Sequence, residues 1–570
     1  MNIRITGEAG QGMHTIGIAL CRVFSRSGYC VFANQDYMSR IRGGNNIFQV
    51  RVSTDPVYAF RSLSQIIVPL DAASVELHRR HLAPGGVMVA DAGRFGVAAG
   101  EGLFDVPLYS LAAATGSEIF VNSVACGVIM RLVGLGLDVL NRVLSETFAD
   151  KGSEIVSKNL AAAHAGFEYT EQRFQGNLYS LGAGGTKPSD DLILVANEAI
   201  ALGAVKAGCS FYSAYPMTPS SNILQTVARL AQQTGIVVEQ AEDEIAAINM
   251  AIGASYAGVR SMTGSSGGGF ALMVEGVSLA GMTETPVVIA VAQRPAPATG
   301  FPTRTAQEDL FMVLYAGHGE FPRVIYAPGT AEEAFELTLK AFDTAEKYQI
   351  PAFILSDQVL ADSYRNVAPF SAAVSAMRRH IISKEESASV QGYKRYLLTE
   401  SGVSPRAVPS WINDPVYADS DEHTEDGHIT EDAGVRVAMT EKRLYKKMVA
   451  LVREIVPPVI DKASAAEVLL IGFGSTFGVI KEVSDALAGI GRVHLKQVWP
   501  FPKEAVLQAM RGAKKVLTVE NNATGQLARL IRQETGVQVG SILKFDGRPF
   551  SFDELQQRVE QEREHGSKSV

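Results

Sequence analysis

The sequence predicts a multi-domain α/β protein, and three observations carry that prediction. Its 570 residues are enough for three or four hydrophobic cores. A composition of 46% hydrophobic and 20% charged residues, with 53 glycines, belongs to a globular chain with many tight turns rather than a disordered or fibrous one. Short β-rich runs also alternate with helix-length stretches along most of the chain, which is how sheets built from strand–helix units read.

In chain order, "MNIRIT", "YCVFA", "NIFQVRV", "SQIIVPL" and "GGVMVAD" read as strands separated by helical or glycine-bearing stretches, and more strand–helix material follows. The polar, glycine-rich "NLYSLGAGGTKPSDD" reads as a linker, so a first α/β domain is expected over 1–178. The alternation then restarts: "SFYSAY" strand, "SNILQTVARLAQQ" helix, "GIVVEQA" strand, "DEIAAINMAIGASYAG" helix, "VRSMTG" strand, "GGFALMVEGVSLAG" helix and "PVVIAVAQ" strand, then "RVIYAP" and "PAFILSD". Strands and helices of these lengths imply a doubly wound parallel sheet over 190–370. The rhythm is lost over 371–450, an irregular connecting segment. It returns in a third α/β domain, 451–555, with "EVLLIGFGST", "RVHLKQVWP" and "KKVLTVENN" as strands.

Charge and cysteine usage exclude several functions. A net charge of −8 and a pI near 5.8 leave no basic stripe to neutralise phosphates, so a general nucleic-acid binder is set aside. Cys21, Cys30, Cys126 and Cys209 are too scattered for a disulfide framework, and their spacings fit no iron–sulfur cluster. No apolar run reaches spanning length, and "MNIRITGEAGQG" passes straight into a strand and a glycine loop with no room for a signal peptide. A cytoplasmic enzyme subunit with no membrane association is expected.

Four features can carry chemistry. In "FYSAYPMTPSSNIL", Pro216 and Pro219 bracket Met217 and Thr218, holding the Thr218 hydroxyl on a stiff loop at a strand end, where open α/β sheets place ligands. The alternative is an ordinary strand exit, with Ser220 or Ser221 capping the next helix. Glu242, Asp243 and Glu244 precede a helix that is apolar on every side and so is expected to be buried. Glu242 and Asp243 fit an N-cap and a first turn. Glu244 leads into the apolar stretch, where an unpaired carboxylate must find a partner or a proton. Gly267 to Gly269 open a helix after a strand, which serves either close ligand approach or close helix packing, and no Gly-Lys-Ser/Thr follows to make a nucleotide loop. Arg294 ends an apolar strand before Pro295, Pro297 and Pro302. It is suited to paired hydrogen bonds with a carboxylate or to a surface ion pair.

Together, "YPMTPSS", "EDEIAAINMAIGAS", "GGGFALMVEGVSLAGMTETPVVIAVAQR" and "TGFPT" resemble the alpha subunit of 2-oxoacid:ferredoxin oxidoreductases, most like the 2-oxoglutarate type. "GEAGQG" and "YMSRIRGGNN" resemble the gamma subunit of the same enzymes, and "WPFP" with "TVENNATGQLARLI" resembles their transketolase-C-like domain. The resemblance covers nearly the whole chain in the order gamma, then alpha. Met217 stands where isoleucine is common, and "TGSSGGG" carries an extra serine.

The resemblance implies a gamma-type α/β domain, a thiamine diphosphate pyrimidine-type domain and a transketolase-C-like domain. It implies that Glu244 hydrogen-bonds the aminopyrimidine ring of thiamine diphosphate, so that the cofactor removes its own C2 proton. Tyr215, Pro216 and Gly267 line the cofactor in this reading. Thr218 and Arg294 hold the 2-oxo acid before decarboxylation, electrons leave singly to an iron–sulfur cluster, and coenzyme A takes the acyl group. The resemblance also implies that Gly10, Gln11, Gly12 and Arg42 of the gamma-like segment are coenzyme A contacts; separately, the spacing of Gly7, Gly10 and Gly12 is not the dinucleotide fingerprint.

No Gly-Asp-Gly occurs to hold Mg2+ and a diphosphate, so this chain contributes no metal site to the pair. With no cluster cysteines either, a beta subunit is expected to supply Mg2+ and a [4Fe-4S] cluster, in a dimer of heterodimers that reduces ferredoxin. Pyruvate, branched-chain or indolepyruvate activity, or a scaffold without chemistry, are the competing functions. His423 and His428 in "DEHTEDGHITED" offer a metal site by composition, but lack ligand spacing on one helix and are expected in a solvated loop.

Overall fold

The computed structural model describes residues 1–39, 43–98, 100–174, 179, 181, 190–371 and 377–566. The chain divides into two compact units. The first is Met1–Leu194 with Asp362–Pro369 and Ser551–Glu554, and the second is Val195–Ala361 with Phe370–Phe550 and Leu555–Val570.

The first unit is built on an eight-stranded mixed sheet. Leu103–Asp105, Leu82–Ala90, Ser64–Pro69 and Asn2–Ala9 run parallel, in that spatial order. Asn2–Ala9 then pairs antiparallel with Gly43–Ser53, which pairs antiparallel with Cys30–Asp36. The far edge comes from distant sequence: Ser363–Val367 pairs with Cys30–Asp36 on one side and Leu192–Leu194 on the other. Over this sheet the helices Val121–Leu132 and Ser153–Arg173 pack backbone to backbone. A Cβ on Gly127 would strike the carbonyl of Ala163, and one on Gly166 the carbonyl of Val124, so both positions need a residue without a side chain.

The second unit holds two sheets. In the seven-stranded one the spatial order is Gln497–Trp499, Val324–Tyr326, Pro351–Asp357, Val287–Gln293, Arg260–Ser266, Cys209–Ala214, Val237–Gln240. All pairings are parallel except that of Gln497–Trp499. The strand order reverses beside Cys209–Ala214, because the chain goes outward to Val237–Gln240 and returns on the other side to Arg260–Ser266. A crevice opens at such a switch point, outside the carboxyl ends of the strands. The five-stranded sheet runs Val459–Asp461, Ile490–Leu495, Val468–Phe473, Lys515–Glu520, Gly540–Leu543, parallel but for the first strand. The run "RVHLKQVWP", expected as one strand, is two. It breaks at Lys496, whose carbonyl accepts from the N–H of Ala327, and its second half joins the seven-stranded sheet.

Two further expectations need correction. The helix Glu244–Tyr256 is not buried on every side: Ala247, Ile248, Ala251 and Ile252 face the core, while Ile245 and Met250 are 49% and 40% exposed. His423 is not solvated. It is fully buried, its ring lies 3.9 Å from that of Tyr396, and its Nδ1 is 2.9 Å from the carbonyl of Asp421. Full burial against an aromatic neighbour describes a core histidine. Among the described residues no group of three or more His, Cys, Asp or Glu is placed to hold a metal ion, and no helix is long and apolar enough to cross a membrane.

Candidate functional site

Three adjacent parallel strands of the second unit, Cys209–Ala214, Arg260–Ser266 and Val287–Gln293, end side by side. Each delivers one of the expected groups from its carboxyl end. After Ala214 come Tyr215 and Pro216, both exposed, then Met217 and Thr218, half-buried. The loop is tied down from within: Ser220 Oγ donates to the Met217 carbonyl at 2.8 Å, and Asn197 Nδ2 to the Pro219 carbonyl at 2.8 Å. Ser220 stands at the N-cap of the helix Ser221–Thr234, but its hydroxyl makes no cap hydrogen bond. The ordinary-capping alternative therefore does not describe this loop.

From the third strand, Arg294 reaches across and donates from Nη1 to the Thr218 carbonyl at 2.7 Å. Thr218 and Arg294, 76 residues apart, are thus brought together. Burial lowers the pKa of the guanidinium, against a pull from Asp309. It remains a cation with donors to spare.

Between them the helix Gly267–Met282 begins directly after the second strand. Two of the three glycines that open it admit an acid each to the helix start. A Cβ on Gly269 would collide with the carboxyl of Glu244 and the hydroxyl of Ser265, and a Cβ on Gly267 would collide with the carboxyl of Asp309. Glu244 is 2% exposed. Asp243 caps its helix by accepting from the N–H of Ala246 at 2.7 Å, which leaves Glu244 in the first turn with its carboxyl pointing inward. Among the described residues its one hydrogen-bond donor is Ser265 Oγ, at 3.2 Å from Oε1. The Ser265 and Ser266 hydroxyls also face Met217 Sδ, at 3.8 and 2.7 Å. A carboxyl sealed from water with one donor has hydrogen-bonding capacity left for a ligand ring nitrogen. The residues present therefore fit the aminopyrimidine end of thiamine diphosphate.

Asp309 is the group that sequence reasoning missed. It is 6% exposed, and Oδ2 has no hydrogen-bond partner. Burial, with Glu308 adding to it and Arg294 opposing, pushes its carboxyl up to about 7. "QEDL" carries no periodicity that marks one acid as buried, and only the packing of this loop beneath the glycine helix reveals it.

In the first unit the glycine loop stands at the start of the helix Met13–Arg26, with Gly12 at the N-cap in the left-handed region. Gly10 is also left-handed, and a Cβ there would meet nothing. Gln11 turns its amide inward: Oε1 accepts from the Glu8 N–H at 2.8 Å and Nε2 donates to the Leu70 carbonyl at 3.3 Å. Arg42 lies outside the described residues.

Three family models match the chain in succession. "Pyruvate ferredoxin/flavodoxin oxidoreductase" covers residues 2–169, "Pyruvate flavodoxin/ferredoxin oxidoreductase, thiamine diP-bdg" covers 202–442, and "Pyruvate:ferredoxin oxidoreductase core domain II" covers 466–555. These define a thiamine diphosphate-dependent oxidoreductase subunit in which a gamma-type segment is fused to an alpha-type one. The 2-oxoacid:ferredoxin oxidoreductase subunit alpha of a Sulfolobus species is 33% identical over 99% of this chain and 97% of its own length. The 2-oxoglutarate synthase subunit KorA of Archaeoglobus fulgidus is 32% identical over 62% of this chain and 94% of its own. The 2-oxoglutarate:ferredoxin oxidoreductase of Magnetococcus marinus, solved with 2-oxoglutarate, coenzyme A and succinyl-CoA bound, matches with a TM-score of 0.92, 31% identity and 99% coverage of both chains. The chain belongs to the 2-oxoacid:ferredoxin oxidoreductase alpha-subunit family.

Proposed function

We propose that this chain, with a beta subunit, oxidatively decarboxylates 2-oxoglutarate: the 2-oxo acid and coenzyme A become succinyl-CoA and CO2, and two electrons pass singly to ferredoxin. The observation that carries this reading is Glu244, sealed at the opening of the glycine helix with one hydroxyl as partner. Thiamine diphosphate, when bound, supplies the carbon nucleophile that attacks the keto carbon and the electron sink for decarboxylation. Glu244 hydrogen-bonds the aminopyrimidine ring, with Tyr215, Pro216 and Gly267 around it, and Ser265 orients its carboxyl. Arg294 offers its remaining N–H groups to the substrate carboxylate, and the Thr218 hydroxyl takes the carbonyl side. Because Arg294 already grips the Thr218 backbone, the two arrive pre-positioned and lose little freedom on binding.

The beta subunit supplies Mg2+, the diphosphate site and the [4Fe-4S] cluster in this proposal. Its docking is supported by apolar side chains left exposed on the two helices that open at the site: Ile245, Met250 and Leu272, the last 50% exposed. Coenzyme A is assigned to the first unit near Gly10, Gln11, Gly12 and Arg42, with the open face of Gly10 as the nearest approach. The preference for 2-oxoglutarate rests on the KorA and Magnetococcus relatives. The test is co-purification with the product of the neighbouring gene, then coenzyme A-dependent dye reduction across pyruvate, 2-oxoglutarate, branched 2-oxo acids and indolepyruvate. Turnover of 2-oxoglutarate that Glu244→Gln abolishes is the expected result. Equal turnover by wild type and variant rejects it.

A further inference from the structure

Beside the groups that take the substrate lies a carboxyl with no part in that reading. The backbone around Asp309 is fixed on both sides. Its own N–H donates to Gln293 Oε1 at 3.0 Å. The Gln307 N–H donates to the Asn521 carbonyl at 2.7 Å, and the Asn521 N–H returns to Gln307 Oε1 at 3.1 Å. Gln526 Nε2 holds the Glu308 carbonyl at 2.7 Å. So anchored, the loop holds the carboxyl against the bare Cα of Gly267. A carboxyl kept for structure at this place would accept from the amides of the helix start or pair with Arg294. Among the described residues neither contact is found, and Oδ2 is buried without a partner. Leaving a carboxyl in that state is unfavourable, and it persists where a ligand or a proton completes it.

We propose that Asp309 is a positioning residue for anion binding at Arg294: it takes a proton from solvent as the substrate carboxylate arrives, so that no second negative charge opposes the substrate beside the guanidinium. This rests on the reading that Arg294 holds the carboxylate of a 2-oxo acid. Two carboxylates near one guanidinium repel each other, and the buried one is the one that favours a proton. The charged groups around Asp309 are Arg294 from the end of Val287–Gln293, Glu308 on its own loop, and Glu244 over the same helix end. The helix Gly267–Met282 adds only its amide dipole, having no acid in its first turn. The Asp309 carboxyl, with its value near 7, is poised to make the exchange at ordinary pH. The proton moves from solvent onto a carboxylate oxygen, and no other bond changes.

The test uses the assembled enzyme with thiamine diphosphate. For wild type, KM for the 2-oxo acid should rise about tenfold from roughly pH 6.5 to roughly pH 8.5 while kcat stays nearly level. Asp309→Asn, permanently neutral, should keep the low KM across that range. Should the variant fail to fold, wild type alone decides. Binding of the unreactive 2-hydroxy acid of the same carbon skeleton, followed by calorimetry near pH 7.5 in buffers of different ionisation heat, should show about half to one proton taken up per site. The proposal is overturned by an unchanged KM profile in Asp309→Asn, or by no proton uptake in wild type. Absence of turnover of every 2-oxo acid by the wild-type assembly is a different result, and it removes the reading of Arg294 on which this one stands.

Discussion

The helix Gly267–Met282 has acids at both ends, and the two ends treat them oppositely. Just past its carboxyl end, Glu284 is 0% exposed and saturated: Lys442 Nζ lies 2.5 Å from Oε1, Lys447 Nζ contacts Oε2, and Arg395 donates to its backbone carbonyl at 2.7 Å. Burial alone would raise its pKa, but Lys447 and Lys442 hold it well below the usual carboxylate range. At the amino end, Glu244 has one hydroxyl and Asp309 has nothing on Oδ2. All three are equally dry, so burial does not separate scaffold from site. The supply of partners does. Lys442 and Lys447 come from the connecting segment, which the Glu284 cluster ties to the helix Gly267–Met282 within the second unit. At the other end the missing partners mark where a ligand completes the structure.

The sharpest way to break this contrast is to neutralise one acid at each end. Glu244→Gln keeps the Ser265 hydrogen bond but loses the carboxyl proposed to hydrogen-bond the aminopyrimidine ring. In the assembled enzyme it should reduce 2-oxo acid oxidation by about 10³-fold or more while changing unfolding free energy by less than about 1 kcal/mol. Glu284→Gln should do the reverse. It leaves two buried ammonium groups with no anion and should destabilise the second unit by about 3–5 kcal/mol in denaturant titrations. Molecules that remain folded should keep a near-normal kcat. If Glu284→Gln abolishes turnover without loss of stability, the cluster belongs to the chemistry and the division drawn here is wrong.

Much of the site end was legible in the sequence, and the scaffold end was not. The bracketed Thr218, Glu244 ahead of an apolar helix, the glycine run and Arg294 all lie where a strand ends or a helix begins, and the change from period two to period 3.6 marks such places. Glu284 and its two lysines lie 158 and 163 residues apart in a stretch without periodicity, and only tertiary packing pairs them. Asp309 was hidden for the same reason. The antiparallel strand Ser363–Val367 escaped as well, because it follows an unbroken strand–helix series and pairs with residues more than 300 positions earlier. The all-round apolarity of Glu244–Tyr256 was read as burial within one chain. Ile245 and Met250 show that the same pattern also describes a helix with one apolar face left exposed.

Asp309→Asn offers a smaller effect with a distinctive pH signature. A carboxyl that titrates near 4 in the unfolded chain and about 7 in the folded one favours the fold below about pH 4, and that advantage is lost as pH rises towards 7. Neutralising it should therefore leave stability unchanged near pH 4 and raise it by roughly 1–3 kcal/mol at pH 8. Thermal unfolding at the two pH values measures the difference. A variant less stable at pH 8 would mean that Asp309 is ionised and satisfied in the fold, as Glu284 is.

The smallest expected effect tests how far the amino end depends on its one supplied partner. Ser265 Oγ is the only hydroxyl donating to Glu244 among the described residues, and the same oxygen packs against the bare Cα of Gly269. Ser265→Ala removes one hydrogen bond to a buried acid without adding bulk. The expected cost is about 1 kcal/mol, seen as a roughly fivefold loss in kcat/KM with little change in unfolding free energy. Ser265→Cys, a weaker donor of similar shape, should fall between. A loss as large as that of Glu244→Gln would show that the hydroxyl is a member of the reacting set, since orientation of a carboxyl already clamped by its helix should not be worth three orders of magnitude.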